Sequence, residues 1–208
     1  EIKQAIVEGR LWEHLEMRAH GHPALYQALK HLRKYGEYIE QHSPIAKRSG
    51  LFFFSSVGLA RPEVIRHRKR LLERYSPPKG AKVLLLVPDS DSRPFRSKRL
   101  KRAIAGPYER LAVEKEKAHV CIYAPPFGVV PTELRDIYPL GQYECSYPPD
   151  YETIEYIAQQ IADYVGAQKY TRIAMLVQAG SWHEKASDLC RRICAEKGIK
   201  IELLPLKV

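Results

Sequence analysis

The five residues SPPKG, 76–80, separate two stretches with different hydrophobic periods. Consecutive prolines cannot continue a helix, because each lacks an amide N–H and its ring clashes with the preceding turn, and the glycine behind them frees the backbone. Before this break apolar residues recur at helical spacing, and after it short aliphatic runs alternate with longer amphipathic stretches. That change of period predicts a helical segment over 1–77 followed by an α/β domain over 78–208.

In IKQAIVEGRLWEHLEMRA (2–19) the residues Ile2, Ile6, Leu11, Leu15 and Ala19 fall on one side of a helix. In HPALYQALKHLRKYGEYIEQ (22–41) Leu25, Leu29, Leu32, Tyr35 and Ile39 do the same. Gly21 stops the first helix and Pro23 starts the second, so the two are expected to pack as a hairpin on these faces. LFFFSS (51–56) is too short for a helix and reads as a short strand or a buried extended segment. A further helix is expected over 61–75, with Pro62 in its first turn and Arg66, Arg68, Lys69, Arg70 and Arg74 around most of its circumference.

Beyond the break, strands are predicted over 82–87, 118–123, 172–177 and 199–204, and helices over 97–104, 150–165 and 182–197, the last capped by Gly198. This alternation implies a three-layer α/β domain with a mainly parallel sheet, in which ligands sit at the carboxyl ends of the strands. The loops over 88–98 and 124–139 lie at those ends. The second holds four prolines and an apolar centre of Phe127, Val129 and Val130, which suits either a functional loop or one that packs beneath the first.

The net charge of +10 is unevenly spread. Residues 1–80 carry 15 Lys and Arg against 8 Asp and Glu, residues 81–117 carry 10 against 5, and residues 118–208 carry 9 against 11. The first 117 residues hold the whole excess, and such a field draws polyanions, of which nucleic acid is the commonest in a cell. Arg93, Arg96, Lys98, Arg99, Lys101 and Arg102 follow the first strand, and guanidinium forks match phosphate oxygens, so these six are the candidate RNA phosphate contacts. The alternative is a solvated charged face. The loop lacks the glycines of a P-loop or dinucleotide fingerprint, and Asp89 and Asp91 read as turn caps or partners of the arginines.

No nucleophile stands in a recognisable catalytic setting, so no catalytic residue is assigned. The four cysteines form no C-x-x-C, Cys190 and Cys194 read as buried thiols one helical turn apart, and His20 and His22 lack a third ligand, so no metal site is assigned either. No signal peptide opens the sequence and no apolar run nears the ~18 residues of a membrane span, which suggests a cytoplasmic protein without membrane contact.

The segments GRLWEHLEMRAHGHPALYQALKHLRKYGEYIEQHSPIAKRSGLFFF (9–54), RPEVIRHRKRLL (61–72), DSRPFRSK (91–98) and PPFGVVPTELRDIYPLGQYE (125–144) together resemble the archaeal tRNA-guanine transglycosylase family, which inserts the archaeosine precursor base into tRNA. The resemblance spans nearly the whole chain. It implies the helical segment that follows the family's catalytic barrel, and then its accessory α/β domain. The family's two catalytic aspartates, and the zinc held by Cys-x-Cys-x-x-Cys and His, belong to the barrel, for which this chain has neither the motif nor the ~250 residues. The resemblance therefore implies a non-catalytic, tRNA-binding and architectural region with no cofactor of its own. Its partners would be tRNA, the catalytic barrel as domain or subunit, a PUA module and a second copy. The chain is expected to be a piece of a longer enzyme or one product of a split gene, inactive alone.

A second likeness is to archaeosine synthase, whose α/β domain carries a Pro-Cys-Ser…Lys-Pro-Tyr loop. Here Asp89 and Arg93 occupy the cysteine and lysine positions, which counts against lysine transfer.

Overall fold

The computed structural model describes residues 1–47, 50–89 and 97–206, of which 97–103 by their backbone alone. Its centre is a five-stranded sheet in the order β4-β3-β2-β6-β7, with β2 Val83–Pro88, β3 Ala118–Ala124, β4 Gly128–Pro131, β6 Arg172–Val177 and β7 Glu202–Pro205. All neighbours are parallel except β3 and β4, which form an antiparallel hairpin. VLLLVP, the central strand, is buried along its whole length, as a continuous aliphatic run in a parallel sheet must be. Its alternate residues serve two cores. Leu84 and Leu86 pack with helices α7 Tyr151–Ala167 and α8 Trp182–Glu196 on one face, whereas Val83, Leu85 and Val87 pack with α6 Ser97–Leu111 on the other. The domain thus has three layers, as the strand and helix alternation implies.

Local chemistry explains the ends of these elements. Asp150 caps α7 by accepting from the Thr153 amide at 2.8 Å, and Ser181 caps α8. Gly198, at φ +71°, ends the turn after α8 in a conformation that L side chains rarely adopt. Helix α6 continues through Pro107 to Leu111, seven residues beyond the expected end, because its apolar residues Ile104, Tyr108 and Leu111 are held on the sheet.

The loop over 124–139 is the largest departure from expectation. Its apolar centre is strand β4, paired with β3 through Cys121 and Pro131, Ile122 and Val130, and Tyr123 and Val129. This pairing builds the apolar centre into the edge of the sheet, while residues 90–96 of the first loop lie outside the described residues. Farther on, the short strand β5 Tyr143–Cys145 runs parallel to β1 Leu51–Phe53. Leu51 and Phe53 therefore share a core with Leu85 and Phe127, across the SPPKG break.

In the helical segment each expected long helix is interrupted. The first divides into α1 Ile2–Val7 and α2 Leu11–Ala19 at Gly9, whose φ is +67°. The second divides into α3 Pro23–His31, a 3-10 turn Leu32–Tyr35 and α4 Gly36–Gln41. Nor do α1 and α2 pack wholly on the expected face: Ile2, Ile6 and Leu15 are exposed, whereas Ala19 of that face is buried together with Ala5 and the carboxylate-bearing Glu16 from outside it. The helix with Pro62 in its first turn, α5 Pro62–Glu73, forms as expected and lies against α7.

Candidate nucleic-acid interface

The strand order reverses between β2 and β6, since β2 leads through α6 to β3 on one side and β6 leads through α8 to β7 on the other. The carboxyl ends of these two strands are where a doubly wound sheet opens a crevice. Asp89 stands there, directly after β2, with its amide donating to the Tyr123 carbonyl at 3.1 Å. Its carboxylate is buried and accepts a hydrogen bond from the Tyr147 hydroxyl at 2.8 Å, and Tyr143 is bonded to it as well. Burial, then the negative charge of Asp89, pushes both phenols far up, so they stay protonated and able to donate to it. Opposite, Ser181 and His183 open α8 with Ser181 Oγ 2.8 Å from His183 Nδ1. Asp89 and His183, both buried, and the groups bonded to them thus lie at the carboxyl ends of β2 and β6.

Of the six candidate phosphate contacts, Arg93 and Arg96 lie outside the described residues, as does Asp91. Lys98, Arg99, Lys101 and Arg102 belong to the first two turns of α6, which starts at the carboxyl end of the sheet.

Helix α5 is less uniformly available than its composition implies. Arg61, just before it, is fully buried: it donates to the Phe52 carbonyl at 3.0 Å and to Glu13 at 3.0 Å, and its guanidinium lies 4.7 Å from the Phe53 ring centroid. Arg66 is also buried, with donors on the Glu40 carboxylate and on the carbonyls of Glu40, Ser43, Pro44 and Ile45. These two arginines organise the segment before β1. Arg68, Lys69, Arg70 and Arg74 are exposed, and none has an acidic partner among the described residues. The open basic face of α5 is theirs.

A buried network at the amino end of the sheet was not legible in the sequence. His119, 2% exposed, has Nε2 at 3.0 Å from the Tyr75 hydroxyl and 3.3 Å from Glu133, and Nδ1 at 2.6 Å from the Tyr170 hydroxyl. Tyr75 donates to Glu133, and Tyr164 lies 3.0 Å from Tyr170. Burial raises the Glu133 carboxyl, but hydrogen bonds from His119 and Tyr75 outweigh it and bring the pKa to about 2. Cys121 lies 3.5 Å from the imidazole, yet burial raises its thiol well above the ordinary value, the opposite of an activated nucleophile. The network joins β3, α7, the loop after β4 and the segments that follow α5 and α7. Its members are 95 residues apart in sequence at the extremes, which is why no motif announces them.

Cys190 and Cys194 are buried free thiols, and His22 caps α3 through Nδ1. Among the described residues no group of three or more His, Cys, Asp or Glu is placed to hold a metal ion, and no helix is long and apolar enough to cross a membrane.

Residues 64–204 match the family described as Domain of unknown function (DUF5591). The chain belongs to the DUF5591 family. Its DUF5591 region runs from α5 to β7 and so includes the basic helix, the sheet and the His119 network. Over 179 residues the chain is 35% identical to the tRNA-guanine(15) transglycosylase of Saccharolobus solfataricus, covering 84% of this chain and 34% of that protein. It is 38% identical to the enzyme of the same name from Pyrobaculum aerophilum, over 69% of this chain and 28% of that one. The chain therefore spans about a third of the length of these relatives and is similar to a part of them. Among solved structures, the crystal structure of AF0587, a protein of unknown function, matches at 18% identity with a TM-score of 0.45, over 65% of this chain and 42% of that one.

Proposed function

We propose that the chain is the tRNA-binding and architectural region of an archaeosine tRNA-guanine transglycosylase, and that it does not exchange the base on its own. The observation that carries this reading is the asymmetric coverage: most of this chain matches a third of a transglycosylase. The concentration of positive charge in residues 1–117 supports contact with tRNA, with Arg93, Arg96, Lys98, Arg99, Lys101 and Arg102 on phosphates. The exposed apolar side chains Ile2, Ile6, Val7, Leu15 and Met17 on α1 and α2 suit packing against the catalytic barrel. In this role the region needs no cofactor, works in the cytoplasm, and acts beside a PUA module.

The test is tRNA guanine exchange with radiolabelled guanine, using the chain with and without a separately expressed catalytic barrel. The expected result is no exchange by the chain alone and a higher rate when both are present. Binding of the chain to tRNA should fall with salt at a log–log slope of about −3 to −4, for roughly four neutralised phosphates. A slope near zero, or a barrel equally active without the chain, would sink the reading.

A further inference from the structure

A cavity of about 230 Å³ lies between α5 and the segment that carries Leu134, Ile137, Tyr138 and Leu140. Its walls are mostly aliphatic and aromatic, and Ile137 at its mouth is 53% exposed. The volume is below the roughly 300–1,000 Å³ of sites that enclose drug-sized ligands, so it suits a single small group and not an extended molecule.

Two side chains of α5 and one of its C-cap give the cavity its chemistry. Arg70 and Arg74 stand one helical turn apart on its rim, exposed and without an acidic partner among the described residues. Other charged groups that line it are already engaged: Arg66 by Glu40 and four carbonyls, and Glu63 by Arg61 and by the Tyr138 hydroxyl at 3.3 Å. His67, 8% exposed, lies in the lining and donates from Nε2 to the Val129 carbonyl at 2.8 Å. Since a carbonyl only accepts, Nε2 carries the proton, and burial holds the ring neutral with a pKa of about 4. Nδ1 is then a fixed acceptor, and it has no partner among the described residues. An apolar slot lined by a histidine that keeps one acceptor nitrogen and by two exposed guanidinium groups matches a nucleobase that bears an N–H group, with phosphates on either side.

We propose that this cavity receives one unstacked base of a bound RNA strand. Arg70 and Arg74 hold the neighbouring phosphates, and His67 Nδ1 accepts a hydrogen bond from the base. Splayed-out bases are the usual target of proteins that grip single-stranded RNA, and Arg and aromatic side chains are the usual contacts. The inference rests on the proposed tRNA-binding role and gives it a site apart from the α6 cations.

The experiment uses tRNA transcribed with 4-thiouridine and the 208-residue chain. Affinity is measured against salt for the unaltered chain and for R70A/R74A, and cross-linked peptides are mapped by mass spectrometry. Ile137→Trp, an exposed change that blocks the mouth, is the second variant. The expected result is cross-linking within 66–75 or 134–140, lost in I137W. R70A/R74A should bind at least about tenfold more weakly, with a log–log slope shallower by about 1.4, since each single-strand phosphate contact contributes roughly 0.7. If the unaltered chain binds tRNA and R70A/R74A matches it in affinity and slope, or if the cross-links fall elsewhere, the cavity is not the site while the tRNA-binding role stands. No binding by the unaltered chain overturns both.

Discussion

Replacing Arg61 by methionine should destabilise the fold severely and leave RNA contacts untouched. Arg61 is fully buried, and its guanidinium bonds the Phe52 carbonyl and Glu13 while lying 3.5 Å from Glu63. Methionine keeps the apolar stem and deletes the charge, so two half-enclosed carboxylates lose their shared partner. Glu13 retains Lys47 at 2.7 Å and Glu63 retains Tyr138, which limits the loss but leaves one buried negative charge without compensation. Removing one partner of a buried ion pair costs about 3–5 kcal/mol. At about 2–4 °C per kcal/mol for a chain of this size, Tm should fall by roughly 6–20 °C. The pH dependence follows from Glu13. Burial raises its pKa, but Arg61 and Lys47 outweigh this and hold it below the ordinary value. A carboxyl depressed in the folded state contributes stability above its unfolded pKa and loses it as pH falls through the folded value. The gap between R61M and the parent should therefore be widest near neutral pH and narrow on acidification. Thermal and urea unfolding at pH 7 and pH 4 measure it, and E63Q placed on top of R61M, which removes the carboxylate left without a cation, should recover part of the loss. An R61M chain within 1 kcal/mol of the parent at pH 7, a threshold set by the usual modest effect of surface changes, would refute the reasoning.

Three further outcomes are expected. His67 is held neutral by burial with a pKa of about 4, below the unfolded value near 6.5, so its contribution is present above pH 6.5 and is lost as pH falls toward 4; the imidazole resonances of His67 followed by NMR should titrate in the lower part of that window. Gly128→Ala combines φ +72° with a Cβ that would lie 2.6 Å from Gln160 Cβ, and should cost roughly 1–3 kcal/mol or more, read as a drop in the urea midpoint. Tyr75→Phe removes a donor from Glu133, so the Glu133 carboxyl should titrate above its present value of about 2 and closer to 4.5, as seen in its side-chain carbon shifts; an unmoved shift would show that His119 alone sets it.

Much of the fold is legible in local pattern because the strands and helices after SPPKG each carry their own period. VLLLVP, RIAMLV and the helix capped by Asp150 declare themselves within a few residues, and the polar caps and glycines that end them act on their immediate neighbours. The elements that escaped are those whose stability comes from a distant partner. GVVP becomes a strand because the edge of β3 is open to it, and YEC becomes one because LFF, the expected short strand, lies alongside. In the first 41 residues helical period was read correctly, but Gly9 and the 3-10 turn at Leu32–Tyr35 rotate the later turns away from the shared stripe.

The same division holds for the candidate site. The sequence by itself determined the class of the domain, the overall sheet pattern, the placement of basic residues at one end of the chain and the kinship to transglycosylases, since these depend on composition, period and motif order. Only the tertiary structure decided which cations are available, because a guanidinium in or next to α5 looks the same in sequence whether it meets Glu13 and Glu40 in the interior or solvent at Arg70 and Arg74. It alone brought His67 beside Leu134 and Tyr138, and Tyr75 beside His119 and Glu133. The physical reason is that burial and pairing are properties of side chains meeting across long loops, and no local rule of spacing encodes where such loops close.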